Sequence, residues 1–339
     1  MKKIKIGQIG VCHEHAPGKM TTLRLRPDIF EIVGVVDDRA TSHTPRFTGD
    51  MKIYDGLKWL TEEELFQTPG LQVVTVEVPN LELVSTSLRC LEHGLAIHMD
   101  KPAGDDLALY GKLLDGCRAK HLPFQMGYMF RGNPAVQWTQ NAIRQGWLGE
   151  VFEIQASMSH NYGGQEYQDY LGRFPGGIMF NLGCHLVDIV VSILGRPTGV
   201  TPFLKSAPGY PDRIKNHGLA VLEYPHAVAT LRSCSQEVDG SQRRRFKLCG
   251  TNGSVDWCPM ERFDGNPLLM NLVLKKDIPG YAAGEHTIDF GVIRDRYEDQ
   301  LVELAKIVNG EMTNPYTYEH DYLVEEVTLA ASGYTEWKR

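Results

Sequence analysis

No CxxC pair occurs anywhere in the 339 residues, and the seven cysteines (Cys12, Cys90, Cys117, Cys184, Cys234, Cys249, Cys258) are odd in number and scattered. A disulfide framework and a zinc ribbon are thereby disfavoured, and a reducing, cytoplasmic setting is expected. An excess of basic charge is also missing. Thirty-five Lys plus Arg stand against 42 Asp plus Glu, a formal charge of −7, so no field favours a nucleic-acid backbone or an anionic membrane. No apolar run approaches the roughly 20 residues of a membrane span. The opening run is broken by Lys5 and Gln8 and followed by His13-Glu14-His15, which reads as a strand and turn rather than a leader. Neither nucleic acid nor membrane is expected as a partner, and there is no internal repeat or low-complexity tract.

What the chain does have is alternation. Short β-branched runs at Ile4 to Ile9, Glu31 to Val36, Gln72 to Val78, Leu95 to Met99 and Pro123 to Met126 are separated by helical patterns. They predict a doubly wound parallel sheet in a first domain, residues 1–126. Asn133-Pro134 then predicts a capped helix stopping at Gly146. Beyond it come a strand at Val151 to Ser159, a helix at Gly177 to Leu194, and strands at Gly218 to Tyr224, Val228 to Ser235, Arg245 to Leu248, Ser254 to Cys258 and Met270 to Lys275. Helices follow at Ile293 to Val308 and Tyr318 to Tyr334. Residues 127–339 are thus expected to form an α+β domain with a large, mainly antiparallel open sheet.

Gly10-Val11-Cys12-His13-Glu14-His15 lies where the first strand turns into the first helix, the place where backbone amides hold a pyrophosphate. Only Gly10 matches the glycine pattern; Cys12 and His15 occupy the other two glycine positions. Asp37, closing the second strand, is suited to the ribose hydroxyls, and the strand context favours that over a reading in which Asp37 and Asp38 simply begin a solvated loop. Two adjacent carboxylates repel a 2′-phosphate, so the cofactor is expected to be NAD rather than NADP, with Arg39 as the opposing feature.

Val78-Pro79-Asn80, His98-Met99-Asp100-Lys101-Pro102, and Gly176-Gly177 leading into Asn181-Leu182-Gly183-Cys184-His185-Leu186-Val187-Asp188 form a constellation in this order. It resembles the Gfo/Idh/MocA oxidoreductases over essentially the whole chain, with Gly127 to Pro134 similar to the start of that family's second domain. The resemblance implies an N-terminal Rossmann domain and a C-terminal domain with an open sheet. It also implies a nicotinamide cofactor, a sugar or polyol substrate, and a homodimer or homotetramer. Gly10, Cys12, His13, Asp37, Pro79, Asn80, Asp100 and Lys101 are the expected cofactor contacts; Lys101, His185 and Asn181 are the expected catalytic group. Three departures stand out: Asp100 where the family has Glu, Leu83 where it often has His, and Asn181 where it usually has Asp.

The same residues can be read without the family. Lys101, before Pro102 and just past a strand, sits at the sheet edge where ligands bind, as an acid, base or donor to a hydroxyl, or else as a surface lysine covering that edge. Asn181, His185 and Asp188 are spaced to share one stripe of an otherwise apolar helix, as a structural network or a site wall. Tyr162, Gly163, Gly164, Tyr167, Tyr170 and Arg173 are read as a loop suited to an uncharged polyhydroxylated ligand, with Arg131, His160 and Asp188 as further substrate contacts. Cys12, His13 and His15, like Cys184, His185 and Asp188, lack closed zinc-site spacing, so no metal is expected. The activity expected is oxidation of a secondary alcohol of a sugar, inositol or related polyol. An NAD-dependent glycosidase working by transient oxidation and elimination, and a non-catalytic nucleotide- or sugar-sensing protein, remain as alternatives.

Overall fold

The β-branched runs of the first third form five parallel strands. The computed structural model describes residues 2–43, 49–162 and 164–338; Gly163, one of the substrate-segment residues, lies outside them. One compact unit comprises Met1–Met129 with Tyr297–Tyr322, the other Phe130–Arg296 with Leu323–Arg339.

In the first unit β1 (Ile4–Ile9), α1 (Ala16–Leu25), β2 (Phe30–Val36), α2 (Glu62–Phe66), β3 (Val73–Val76), α3 (Leu83–Glu92), β4 (Ala96–Met99), α4 (Leu107–Ala119) and β5 (Phe124–Met126) alternate. The strand order is β2-β1-β3-β4-β5, with every pairing parallel. Order reverses between β1 and β3, so the crevice outside their carboxyl ends is the expected ligand position. Residues of β3 and β4 are buried on both faces, as in a sheet covered by helices on each side.

The second unit contains α5 (Pro134–Arg144), β6 (Val151–Ser159), α6 (Gly164–Leu171), α7 (Cys184–Leu194), β7 (Gly199–Lys205), β8 (His217–Glu223), β9 (Val228–Cys234), β10 (Arg245–Gly250), β11 (Gly253–Trp257), β12 (Leu269–Leu274) and β13 (Gly284–Asp289). Asn133 caps α5 as the sequence predicts, accepting from the amides of Ala135 at 3.0 Å and Val136 at 3.2 Å. The eight strands run β13-β12-β11-β10-β6-β9-β8-β7, antiparallel apart from the β6–β9 pair. Alternate residues such as Ile154, Ala156, Leu231, Phe246, Leu248 and Leu272 are buried on one face, and α7 packs against β6 and β9 on that side. Among the described residues no helix is long and apolar enough to cross a membrane.

After β13 the chain returns to the first unit through α8 (Glu298–Val308) and the start of α9 (Tyr318–Ala331). The sequence division puts this stretch in 127–339; the reason it goes back is the open edge of β5. Gln300 Nε2 donates to Met126 O at 2.6 Å, Asn314 Nδ2 to Phe124 O at 2.8 Å and Tyr318 Oη to Leu122 O at 2.9 Å. Side chains thus satisfy carbonyls that an edge strand would otherwise leave to solvent or to another chain.

Three local expectations change. Gly164 to Leu171, read as part of a loop, is helical, and Tyr167, Gln168, Tyr170 and Leu171 bury one face of it. The helix expected from Ile293 begins only at Glu298. The single helix expected over Gly177 to Leu194 opens with a π-turn at Met179–Gly183 before α7.

Candidate active site

In the first unit, candidate residues gather at the carboxyl ends of β1, β3 and β4. Gly10 has φ +93°, and a Cβ there would come within 2.7 Å of the Glu77 carbonyl and of Val78, so the tight turn beside β3 requires glycine. Cys12, His13, Pro79 and Asn80 are buried around it.

The two adjacent carboxylates part company. Asp37 is turned outward, with Arg39 Nε donating to its Oδ1 at 2.9 Å and Nη2 to its Oδ2 at 2.5 Å, and Arg39 holds its carboxyl below the usual value. Asp38 instead is 5% exposed and aims at the Gly10 turn. Its Oδ1 accepts from the amides of Val11 at 2.7 Å and Cys12 at 3.1 Å. Its Oδ2 is buried with no hydrogen-bond partner among the described residues, and burial raises the carboxyl pKa despite those two bonds. A carboxylate oxygen left over beside a dinucleotide turn is suited to a ribose hydroxyl. Sequence position could not distinguish Asp38 from Asp37; only the chain's turn after β2 does.

Lys101 is 1% exposed, which removes the reading of a lysine lying over the sheet edge, since such a side chain keeps its ammonium in water. Its backbone N–H donates to Asp100 Oδ1 at 2.7 Å. Asp100 is the hub of a buried ionic cluster that sequence reasoning missed. Lys19 Nζ lies 2.6 Å from Asp100 Oδ2 and 2.9 Å from Glu77 Oε1, and His15 Nδ1 is 3.2 Å from both Asp100 oxygens. Because a carboxylate only accepts, that His15 nitrogen carries the proton. Burial opposes the ionisation of Asp100, but His13, Lys19 and His15 outweigh it and hold the carboxyl well below its usual range. Burial and the neighbouring Asp100 push Glu77 well above its usual value, against the pull of Lys19. The signal available beforehand was a charged residue, Glu77, ending an apolar strand, and Lys19 one turn after His15.

His13, His15 and Asp100 each offer a potential metal-ligand atom, all within 4.8 Å of one another, although no metal is expected from the sequence.

Burial pushes His13 down from 6.5 to about 3, with Asp100 in partial opposition, and His15 is lowered for the same reason. Between pH 6.5 and about 3 the unfolded chain takes up a proton at His13 that the folded chain refuses. Stability therefore falls as pH falls through that window, by about 1.4 kcal/mol per pH unit for such a group. Denaturant titrations across it should show a shallower fall for His13→Gln than for the wild type. Equal slopes would mean that His13 ionises within the fold.

In the second unit Asn181 and Asp188 hydrogen-bond to different side chains. Asn181 Nδ2 donates to Tyr167 Oη at 2.9 Å, and His160 Nε2 lies 3.2 Å from the same oxygen. The His160 ring also stacks on Tyr162, centroids 3.7 Å apart. Asp188 meets Arg131 in a buried fork, with Nη2–Oδ1 at 2.6 Å and Nε 3.1 Å from both oxygens. Those two expected substrate contacts thus engage each other. His185 is 1% exposed, with the Phe130 ring edge-on at 5.4 Å. Tyr162 is half exposed and Arg173 is exposed. Tyr167, His160 and Asn181 are therefore brought together, while Arg131 and Asp188 form a separate pair.

Residues 136–256 match the family model described as the GFO/IDH/MocA C-terminal domain. Trans-1,2-dihydrobenzene-1,2-diol dehydrogenase of Sus scrofa is 25% identical over 248 residues, 71% of this chain and 72% of that protein. Among solved structures, the chain is similar to aldose-aldose oxidoreductase from Caulobacter crescentus complexed with glycerol, at TM-score 0.79 and 17% identity over 100% of both chains. It is also similar to levoglucosan dehydrogenase in complex with NADH and levoglucosan, at TM-score 0.77 and 14% identity over 98% of each chain.

Proposed function

We propose that the chain is a Gfo/Idh/MocA oxidoreductase, as the match of residues 136–256 supports, and that it oxidises a secondary alcohol of a sugar, inositol or related polyol, with NAD as the cofactor. The relatives' diol, aldose and levoglucosan chemistry supports that substrate class. The observation that carries the reading is the convergence of the Gly10 turn, the unpartnered Asp38 oxygen and buried Lys101 at the carboxyl ends of one parallel sheet.

A nicotinamide dinucleotide, when bound, supplies the hydride acceptor. The Gly10 turn gives its pyrophosphate a close backbone approach, and Asp38 receives the ribose hydroxyls. Lys101 donates to the reacting hydroxyl oxygen, while His185 takes the hydroxyl proton. The Asn181–Tyr167–His160 group orients the substrate's remaining hydroxyls.

A polyol and sugar panel followed by NADH absorbance, after identification of any dinucleotide that co-purifies, tests the reading. Net NADH formation supports it. Release of an aglycone without net NADH would favour the glycosidase, and binding without turnover a sensing role.

The two carboxylates should separate in binding experiments. Asp38→Asn should weaken NAD binding about tenfold or more, since a hydroxyl–carboxylate bond is lost at a buried position. Asp37→Ala should narrow the gap between NAD and NADP, because it removes the outer charge and frees Arg39 for a 2′-phosphate. Fluorescence titration with the two reduced cofactors measures both. Unchanged affinity in Asp38→Asn would return the ribose contact to Asp37.

A further inference from the structure

The densest group of buried charge lies beneath the Gly10 turn, among residues that the proposed reaction does not use directly. Lys19 stands on α1 with its side chain fully buried, and its ammonium joins Glu77, from the end of β3, to Asp100, from the end of β4. Glu77 in turn accepts the His13 amide on its backbone carbonyl at 3.0 Å. The turn after β1, the segment after β3 and the segment after β4 are thereby tied to one side chain.

This arrangement exceeds what neutralising a lysine needs. One carboxylate suffices to compensate a buried ammonium, whereas two carboxyl groups from different strands fix two of its three donor directions at once. The surroundings also leave room for it: a Cβ at Gly127 would come within 3.0 Å of Lys19 Nζ and 3.1 Å of Asp100 Cα. Asp100 passes the constraint on, since the carboxylate that receives Lys19 on Oδ2 receives the Lys101 backbone N–H on Oδ1.

We propose that Lys19 is a positioning residue for Lys101, acting through Asp100 and Glu77 to fix the segment from which the Lys101 side chain reaches the reacting oxygen. The proposal rests on the reading of Lys101 as a group acting on the substrate. Lys19 itself touches no reacting atom; its removal lets the Asp100–Lys101 peptide shift. Displacement of a reacting group by about 1 Å can cost on the order of 100-fold in rate.

A double-mutant cycle tests it, with Lys19→Met and Lys101→Met made singly and together and turnover normalised to dinucleotide-binding sites. Lys19→Met alone should lower kcat about 30-fold or more, within the range for misplacement, with substrate KM changed far less. In the Lys101→Met background the same change should lower kcat less than about threefold, because the group it positions is gone. An equal fold-loss in both backgrounds would make Lys19 a general structural support and overturn the proposal. If Lys101→Met alone kept its kcat, the reading of Lys101 would fail first, and that single variant shows it. Should Lys19→Met not fold, Glu77→Gln serves in the same cycle, since it replaces one of the two carboxyl groups that accept from Lys19. Its expected loss is about threefold to tenfold, again within the positioning range, in the wild-type background and none with Lys101→Met. The same loss in both would overturn the proposal.

Discussion

Lys101→Met should lower turnover about 100-fold or more while dinucleotide affinity stays within a few-fold of wild type. Methionine fills most of the space of the lysine stem but has no donor, so the variant deletes the ammonium with little change in packing. The loss expected for a group that donates to a reacting hydroxyl oxygen falls in the 100- to 10,000-fold range of general acid–base catalysis. Dinucleotide binding should survive because the Gly10 turn and Asp38 do not depend on the Lys101 side chain. Steady-state turnover and a separate cofactor titration distinguish the two effects. A variant retaining most of its kcat would leave buried Lys101 a structural charge, despite its place after β4.

The distinction matters because position alone left Lys101 ambiguous. A lysine next to a proline at a sheet edge is commonplace, and the sequence cannot say whether its stem lies over the surface or enters the protein. Burial decides that, and the 1% exposure of Lys101 belongs to the folded chain, where β4 lies between β3 and β5. Asp37 and Asp38 posed the same problem in sharper form. Both follow β2, but the backbone turn sends one towards Arg39 and the other towards the Val11 and Cys12 amides.

The fold was legible where residues were buried. Every strand of the parallel sheet is found near its predicted place, because β-branched runs covered on both sides leave a strong pattern. The strands not predicted, β7 and β13, are the two edges of the eight-stranded sheet. Edge strands face solvent more widely and carry residues that disguise them. β7 contains Pro202, and β13 buries only Ile288. α6 was hidden differently, since adjacent glycines at its start look like a loop while Tyr167 and Leu171 supply its buried face. The ionic cluster escaped because its members are far apart in sequence and only the parallel topology brings β3 and β4 ends beside α1.

His185→Gln should have the other large effect, a loss of about 100-fold or more in kcat, with the acidic limb disappearing from the pH–rate profile of the residual activity. Glutamine retains a polar side chain able to hydrogen-bond but cannot accept and release a proton near neutrality. If His185 is the base that takes the hydroxyl proton, the acidic limb reports its protonation and must vanish with it. Asn181 provides the control on the neighbouring turn. Its amide donates to Tyr167 Oη, and an aspartate at this position could only accept, so Asn181→Asp would force the tyrosine hydroxyl to turn towards the carboxylate and away from His160. That change should raise substrate KM through the Tyr167–His160 group, with any movement of the acidic limb secondary. A His185→Gln protein that keeps the wild-type acidic limb would place the titrating base elsewhere. If Asn181→Asp moved that limb to higher pH with KM unchanged, the carboxylate would be acting on the imidazole of His185 rather than on the tyrosine.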